Sequence, residues 1–235
     1  METINAAIRS IRPLDEVIMQ QTQQRLDSLT KPRGSLAVME MMACQLAGVQ
    51  GIAKPGVPEK AVVLMAADHG VAEEGISAFP AEVTEQMVYN FVQGGAGINV
   101  LARHGAVRLE LVDVGVKADL AADLPIHHCK IRQGTANMRR GPAMTREEAI
   151  RAVNVGISMA NKLADEGIRV IGLGEMGIGN TTASSALVHV FTGKPIRNVV
   201  GRGTGLSDEF VSHKIKVIEE AVALNRPDEK DARRR

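Results

Sequence analysis

Residues Val170-Ile-Gly-Leu-Gly-Glu-Met-Gly-Ile-Gly-Asn-Thr-Thr182 carry the strongest indication of both the fold and a ligand. An apolar pair enters a run that is rich in glycine, and an alanine-rich helical segment follows. This order predicts a strand, a turn of bare backbone and the start of a helix, because glycine tolerates positive φ and lets a ligand approach the backbone. The N–H groups of a first helical turn attract phosphate. Glu175 lies inside the predicted turn, where a carboxylate is costly unless it faces an electron-poor group, so Glu175 is a candidate catalytic residue.

The chain from residue 56 onward alternates predicted strands with predicted helices. Such alternation predicts an α/β fold, with a parallel sheet flanked by helices and joined by right-handed crossovers. The apolar runs predict strands at 61–67, 107–112, 169–173 and 198–200, with a short edge strand at 126–132. Helices are predicted at about 83–104 with an interruption at Gly94-Gly95, at 145–166 behind a capping box formed by Thr145 and Glu148, at 182–191 and at 207–224.

The first part of the chain has no strand signal. Residues 1–55 are therefore expected to form a small helical subdomain, and residues 56–235 an α/β nucleotide-binding domain. Helices are predicted at 13–29 and 36–50, the second of them capped by Ser35. Met39, Met41 and Met42, and Met87 in the second domain, are interpreted as core residues, since methionine fills irregular apolar gaps.

Polar residues follow the predicted strands where each of them ends. These are Asp68-His69, Asp113, Glu175 and the segment from Arg202. Open α/β sheets bind ligands at this edge, so the four segments are expected to converge on one crevice. Two structural alternatives stay open at this point. Asp68-His69 could hydrogen-bond its own loop to Ser77, and Glu175 could pair with Arg202.

Two glycine-rich segments predict phosphate binding. The glycines at 172, 174 and 177 match Gly-x-Gly-x-x-Gly, but the next predicted strand ends in Gly-Arg-Gly and lacks the acidic residue that a dinucleotide ribose requires. A mononucleotide phosphate fits better, with Gly201-Arg-Gly-Thr-Gly205 as a second anion cradle. Lys214 could reach that phosphate, or could be an ordinary exposed helix lysine. The Walker sequence of common ATPases is absent.

Composition excludes several classes of function. The net charge is +1, with one tyrosine and no tryptophan, so neither nucleic acid nor an anionic membrane is an expected partner. Cys44 and Cys129 fit two reduced thiols, and no signal peptide is recognised, so a soluble cytoplasmic protein is expected. His127 and His128 are adjacent on a predicted strand and point to opposite faces, which disfavours a shared metal ion.

Several motifs occur together in an order that is typical of one family. From about residue 10 to residue 228 the chain resembles nicotinate-nucleotide–dimethylbenzimidazole phosphoribosyltransferases. The Gly-Glu-Met-Gly-Ile-Gly-Asn-Thr-Thr stretch is the most specific part of this resemblance. The motifs that carry it are Thr30-Lys-Pro-Arg-Gly-Ser-Leu36, Ala66-Ala-Asp-His-Gly-Val71, Gly94-Gly-Ala96, Asp113-Val-Gly-Val116, Gly134-Thr135, Gly174–Thr182 and Gly201–Gly205.

The resemblance implies transfer of phosphoribose from nicotinate mononucleotide to 5,6-dimethylbenzimidazole, in the assembly of the cobalamin nucleotide loop. It also implies a homodimer with a Rossmann-like sheet and no metal or nucleotide cofactor. By resemblance, Glu175 would face the ribose and the reacting carbon. The substrate-binding residues that the resemblance implies are Gly177, Gly179, Asn180, Thr181, Arg202, Gly203, Thr204, Gly205 and Lys214 for the phosphate, and Ser77, Gln86, Met87 and Met176 for the aromatic base. The strand-end position of Asp68 and His69 makes this pair a further candidate for substrate contact, beside the structural alternative given above.

One feature departs from the family pattern. Members of the family continue for roughly half this length again and carry there a glutamate regarded as the general base, whereas this sequence ends in Asp231-Ala-Arg-Arg-Arg235. The resemblance thus leads to the hypothesis of a frameshift or early stop after about Lys230, and to an expected low stability and turnover. The alternatives are a non-catalytic remnant that binds nucleotide or benzimidazole and, less in keeping with the motifs, a nicotinamide-dependent oxidoreductase.

Overall fold

The structure is a computed structural model that describes residues 1–203 and 207–230. The chain divides into two compact units, Met1–Pro58 and Glu59–Arg235. Within the described residues, no helix combines the length and the apolar character that crossing a membrane requires.

The first unit is helical. Its helices are α1 (Glu2–Ser10), α2 (Glu16–Ser28) and α3 (Val38–Gln50). Asp15 caps α2, since its side chain accepts a hydrogen bond from the backbone N–H of Ile18 at 3.0 Å. Helices α2 and α3 approach closely, because a Cβ atom at Gly48 would lie 2.7 Å from Cγ of Met19. Only glycine fits this contact without a shift of the neighbouring side chain.

A buried carboxylate organises the loop before α3. Glu40 pairs with Lys31 at 2.8 Å and accepts a hydrogen bond from the backbone N–H of Leu36 at 3.1 Å. The hydrogen bond from Lys31 is the main reason that the pKa of Glu40 lies below its usual value. Within the first unit these contacts give part of the Thr30–Leu36 motif a structural role.

Two expectations for α3 are wrong. Ser35 does not cap the helix, which begins after Ala37 without a side-chain cap. The methionines do not fill a core either, because the buried face of α3 consists of residues 40, 44, 47 and 48 and the methionines lie outside it. Met39, Met41 and Met42 are 62%, 61% and 60% exposed.

The second unit contains a parallel sheet. Its strands are β1 (Lys60–Ala67), β2 (Arg108–Gly115), β3 (His127–His128) and β4 (Val170–Met176). Their order in the sheet is β3-β2-β1-β4, and the neighbouring pairs are all parallel. The predicted edge strand at 126–132 is confirmed as an edge strand, but it is only two residues long.

Helices connect the strands as the pattern predicts. The interruption at Gly94-Gly95 is confirmed, and so is the capping box, in which the N–H of Glu148 donates to the hydroxyl of Thr145 at 3.2 Å. A 3-10 turn (Gly70–Glu74) follows β1. The helices of this unit are α4 (Val83–Val92), α5 (Gly97–His104), α6 (Arg146–Asp165), α7 (Asn180–Thr192), α8 (Ile196–Val199) and α9 (Asp208–Asn225).

Strand β1 is covered on both faces, which is typical of a buried parallel strand, whereas Val170 and Leu173 of the edge strand β4 are 40% and 88% exposed. On one face, alternate β1 residues such as Val63 pack against Met159 and Leu163 of α6. On the other face, Leu64 packs against Phe91 of α4. The predicted α/β class with a parallel sheet flanked by helices is therefore confirmed.

The strand predicted at 198–200 is wrong. These residues belong largely to the short helix α8, in which Asn198 N–H donates to the carbonyl of Pro195 and Val200 N–H to that of Ile196. Proline favours the start of a helix because its fixed φ suits the first turn, whereas two adjacent valines are too short a run to define a strand. The segment from Gly201 therefore follows a helix, and the two glycine-rich segments do not lie on neighbouring strands.

Candidate active site

The winding direction of the sheet reverses between β1 and β4. The chain runs from β1 outward through β2 to β3 and then returns to the opposite side of β1 as β4. Such a reversal opens a crevice beyond the carboxyl ends of the two strands, where open α/β sheets bind ligands. Asp68 and His69 follow β1, and Glu175 lies at the end of β4. The structure thus brings these predicted site residues to the same crevice.

Glu175 is held on both of its carboxylate oxygens. It lies in β4 opposite Met65 rather than in the turn that follows, which corrects the predicted location. Its Oε1 lies 3.3 Å from Nε2 of His69, and its Oε2 accepts a hydrogen bond from the side-chain amide of Asn180. The side chain is 44% exposed. Glu175 is therefore oriented by the protein but remains open to a ligand.

Two glycines shape the turn between β4 and α7. A Cβ atom at Gly177 would lie 2.1 Å from the carbonyl oxygen of Ala67 at the end of β1, so only glycine is tolerated there. Gly179 has φ +93°, a left-handed conformation that side chains rarely adopt. The predicted role of these glycines in a tight strand-to-helix turn agrees with this geometry.

Lys214 is the most unusual residue near the crevice. It is 1% exposed, and its ammonium donates a hydrogen bond to Oγ1 of Thr181 at 2.6 Å. Among the described residues, no carboxylate lies within ion-pair distance of it. Burial lowers the pKa of Lys214, because the charged form loses its hydration. A buried cation without a counter-ion is a site that an anion can complete.

The sequence contains a signal for the burial of Lys214. The buried residues of α9 are Lys214, Val217, Ile218 and Ala221, at the spacing of one helix face. This spacing places Lys214 on the apolar stripe of the helix. An unpaired charge there is costly, so the position indicates a ligand that supplies the counter-ion. The alternative of an ordinary exposed lysine is therefore wrong.

The second glycine-rich segment also lies close to Lys214. A Cβ atom at Gly203 would lie 3.3 Å from Oγ1 of Thr181 and 3.5 Å from Nζ of Lys214. Arg202 is exposed and pairs with Asp208, so the alternative in which it pairs with Glu175 is not what the structure shows. Thr204 and Gly205 lie outside the described residues.

The residues proposed for the aromatic base lie along α4 and its surroundings. Met87 and Met176 are partly buried and pack against the cluster that contains Leu64 and Phe91. Gln86 is exposed on α4. The hydroxyl of Ser77 accepts a hydrogen bond from the backbone N–H of Phe79 at 3.3 Å. Two thioethers on one face of the sheet offer a soft apolar surface to a flat ring.

Asp68 ties β1 to the neighbouring loops. Its Oδ2 accepts a hydrogen bond from the backbone N–H of Lys117 at 2.7 Å, and its carbonyl accepts one from Thr135 N–H at 3.0 Å. Ser77 is not its partner, so the alternative in which Asp68-His69 bonds the loop to Ser77 is wrong. Asp68 therefore holds the loops at Lys117 and Thr135 against the carboxyl end of β1.

Sequence reasoning missed Thr84, which supports the glycine-rich turn. Its side chain is fully buried, and its hydroxyl accepts a hydrogen bond from the backbone N–H of Ile178 at 3.1 Å. A threonine on the buried face of α4 is the only sequence signal for this role, and it predicts no particular partner.

Sequence reasoning also missed an ion-pair cluster that holds α9. Arg139 pairs with Glu74 and with Glu220, the latter at 2.6 Å, and Nε2 of His213 lies 2.7 Å from the carbonyl oxygen of Glu74. The hydrogen bond from Arg139 is the main reason that the pKa of Glu74 is lowered. His213 precedes Lys214, so this cluster fixes the part of α9 that carries the buried ammonium.

The described residues contain no ready-made metal centre. No group of three or more histidine, cysteine, aspartate or glutamate side chains is placed there to hold an ion. Nε2 of His127 lies 2.5 Å from Oε2 of Glu110, so this imidazole already has a carboxylate partner.

Comparison with known proteins decides the family. A family model described as phosphoribosyltransferase matches residues 11–234. The chain belongs to this phosphoribosyltransferase family. Among curated members, the nicotinate-nucleotide–dimethylbenzimidazole phosphoribosyltransferase of Geobacter sulfurreducens is 50% identical over 231 residues, and that of Geotalea uraniireducens is 48% identical. These alignments cover 98% of this chain and 66% of each relative.

Solved structures support the same membership of the phosphoribosyltransferase family. CobT from Thermus thermophilus superimposes with a TM-score of 0.85 at 46% identity, over 88% of this chain and 62% of that protein. The chain therefore spans slightly less than two thirds of the length of the relatives that it matches. The resemblance inferred from the motifs is confirmed at the level of the family.

Proposed function

We propose that this chain binds nicotinate mononucleotide at the β1–β4 crevice and transfers its phosphoribosyl group to 5,6-dimethylbenzimidazole, giving α-ribazole 5′-phosphate and nicotinate. The observation that carries the proposal is the buried ammonium of Lys214, which has a hydroxyl but no described carboxylate as its partner. The names of the relatives supply the substrates and the reaction.

The phosphate is proposed to lie between Lys214, the start of α7 and the Gly201–Gly203 segment. Thr181 lies in the first turn of α7, and Gly203 leaves space beside both its hydroxyl and the Lys214 ammonium. A helix start favours an anion through its N–H dipoles, and a lysine adds a full charge. The dianionic phosphate would give the desolvated ammonium the counter-ion that the described residues do not provide.

Glu175 is proposed to face the ribose of the bound nucleotide. In the transfer, the C1′–N bond of nicotinate mononucleotide breaks and its electron pair goes to the nicotinate nitrogen. A nitrogen of the benzimidazole donates its own pair to C1′, and the proton on the other ring nitrogen is released to solvent. Positive charge develops on the ribose carbon and ring oxygen during this exchange, and a fixed carboxylate stabilises it. The hydrogen bonds from His69 and Asn180 place that carboxylate before the reaction begins.

The aromatic base is proposed to lie near Met87 and Met176, with Ser77 and Gln86 at its polar edge. The two methionines are partly buried on the α4 face of the sheet, and Met176 directly follows Glu175 in the chain. Because neighbouring residues of a strand point to opposite faces, the benzimidazole would lie on the α4 face and reach the ribose carbon beside Glu175 over the carboxyl end of β4. Holding both partners in one crevice supplies the positioning that a reaction between two molecules needs.

The proposal includes a homodimer in the cytoplasm, without a metal or nucleotide cofactor. The resemblance to the family implies these properties. Light scattering coupled to size-exclusion chromatography tests the assembly, and a monomer at micromolar concentration would remove the dimer from the proposal.

Calorimetric titration of the purified chain with nicotinate mononucleotide tests the function. Saturable binding that inorganic phosphate displaces is expected, together with α-ribazole 5′-phosphate formation when 5,6-dimethylbenzimidazole is added. Binding without product would replace the transferase by the binding-only alternative. Failure to bind either phosphate or nucleotide would refute the site itself, and stabilisation by NAD would favour an oxidoreductase.

A further inference from the structure

The proposed reaction needs the Glu175 carboxylate in one orientation, and side chains at the crevice fix that orientation through hydrogen bonds. Glu175 is 44% exposed, so an unrestrained side chain would sample several rotamers. Instead, Oε1 faces Nε2 of His69 at 3.3 Å and Oε2 accepts a hydrogen bond from Asn180. The carboxylate is gripped from β1 on one side and from α7 on the other.

The glycine-rich turn creates the space for this grip. A Cβ atom at Gly177 would lie 2.9 Å from Oε1 of Glu175 and 2.9 Å from Cδ2 of His69, so any side chain there would enter the gap between the pair. A Cβ atom at Gly179 would lie 3.5 Å from Cβ of His69. The missing side chain at Gly177 therefore admits the imidazole, whereas a Cβ atom at Gly179 would make only ordinary van der Waals contact with His69.

His69 is itself fixed by its backbone. Its carbonyl accepts a hydrogen bond from Ala72 N–H at 2.9 Å, which opens the 3-10 turn after β1. The next residue, Gly70, donates its N–H to Oγ1 of Thr135 at 3.1 Å. A Cβ atom at Gly70 would lie 2.6 Å or closer to the backbone at Thr135–Asn137, so the segment cannot shift easily. The imidazole is thus presented to Glu175 by a rigid frame.

We propose that His69 is a positioning residue, which acts on the substrate through Glu175 rather than by touching it. With Asn180 it aligns the carboxylate with the positive end of the nucleotide, where the pyridinium nitrogen meets the ribose. This inference rests on the proposed function. It differs from the expectation that His69 contacts the substrate directly, because it requires the effect of His69 to vanish when Glu175 has lost its charge.

Affinity for two ligands tests this role. Nicotinate mononucleotide carries the cationic ring, whereas ribose 5-phosphate offers the same phosphate and sugar without it. The His69→Ala variant is expected to bind nicotinate mononucleotide about fivefold more weakly, the effect of one partly exposed charge, and ribose 5-phosphate within about twofold of wild type. His69→Gln, whose amide can donate to Oε1, restores the nucleotide affinity. His69→Asn is too short to reach and behaves like His69→Ala.

A double-variant cycle separates positioning from direct contact. Glu175→Gln alone is expected to give the same loss of about fivefold, and the pair His69→Ala with Glu175→Gln no further loss. Equal weakening of both ligands, losses that multiply, or a failure of His69→Gln to rescue would overturn the inference. If the wild-type chain binds neither ligand, the proposed function fails, and that result is distinct from all of these.

Discussion

Strands β2 and β4 each carry a carboxylate near their carboxyl ends, and the two carboxylates have opposite roles. Asp113, near the end of β2, is 2% exposed, and its Oδ1 accepts hydrogen bonds from the N–H groups of Gly115 and Val116 at 3.1 and 2.8 Å. Glu175, at the end of β4, is 44% exposed and is bound only by side chains. The sequence pattern places both carboxylates at the ligand-binding edge of the sheet. The hydrogen bonds that Asp113 accepts from the backbone hold the loop after β2, whereas Glu175 remains open to a ligand.

The lysines of these two regions differ in the same way. Lys130 lies 3.5 Å from Asp113 and 3.8 Å from Asp119, and it donates to the carbonyl of Ala118 at 2.6 Å. Lys214 is buried, and its partner among the described residues is a single hydroxyl. A charge whose partners are already supplied by the protein stabilises the fold, whereas a charge without them marks a ligand site. The contrast between the ends of β2 and β4 can be tested by removing each charge in turn.

The largest expected effect is the loss of Asp113. In Asp113→Ala the N–H groups of Gly115 and Val116 lose their acceptor, and Lys130 loses its buried partner. The free energy of unfolding, measured by urea denaturation, should fall by about 3 kcal/mol. Asp113→Asn keeps an acceptor oxygen and should lose less. A loss below about 1 kcal/mol in Asp113→Ala would contradict a structural role.

Glu175→Gln should show the reverse behaviour. Because the side chain is half exposed and its partners are side chains, the free energy of unfolding should change by no more than about 0.5 kcal/mol. Formation of α-ribazole 5′-phosphate should fall about a hundredfold, as expected when a charge that stabilises the transition state is removed. Product assays on Glu175→Gln and Asp113→Asn, each at a temperature where the variant is folded, compare the two strand ends directly. Unchanged turnover in Glu175→Gln would break the contrast.

Lys214→Met tests the buried ammonium of α9, which has no carboxylate partner among the described residues. The variant should bind nicotinate mononucleotide about thirtyfold more weakly, since a charge-assisted hydrogen bond to the phosphate is lost. Its free energy of unfolding should be equal to or greater than that of wild type, because a desolvated cation is replaced by an apolar side chain. Lys216→Met is the matched control on the same helix, as Lys216 is exposed and pairs with Glu220 at 3.9 Å. Equal loss in both variants would point to a general effect of charge.

The parallel sheet could be predicted because short stretches of sequence are sufficient to identify its strands. The run at 61–67 is apolar throughout, and the capping box at Thr145 marks the start of α6 without any tertiary information. The prediction failed at 198–200, where Pro195 and two valines leave the choice between strand and helix to the packing around them. Local signals were sufficient only where they were long or chemically specific.

The crevice was predicted in outline and not in its contacts. That polar residues cluster at strand ends follows from parallel topology alone. The grip on Glu175 depends on the register that sets it opposite Met65 and on the missing Cβ atom at Gly177, both of which are relations across the sheet. The exception is Lys214, whose position on the apolar stripe of α9 was present in the sequence.

The smallest expected effect is a change of the free energy of unfolding with pH, and it distinguishes Lys214 further from Lys130. Burial lowers the pKa of Lys214 in the folded state below the ordinary lysine value of about 10.4. The unfolded chain therefore binds more protons than the folded one between these two values, and the stability of the fold rises with pH across that window. This gain in the free energy of unfolding is complete above the pKa that Lys214 has in the unfolded chain. It is lost as the pH falls through the pKa of Lys214 in the folded chain.

Denaturation of wild type and Lys214→Met from neutral to alkaline pH tests this dependence. The difference in the free energy of unfolding that favours the variant should shrink as the pH rises, while nicotinate mononucleotide binding to wild type weakens with the loss of the ammonium. A difference that stays constant with pH would mean that Lys214 is hydrated in the fold, and the distinction from Lys130 would disappear.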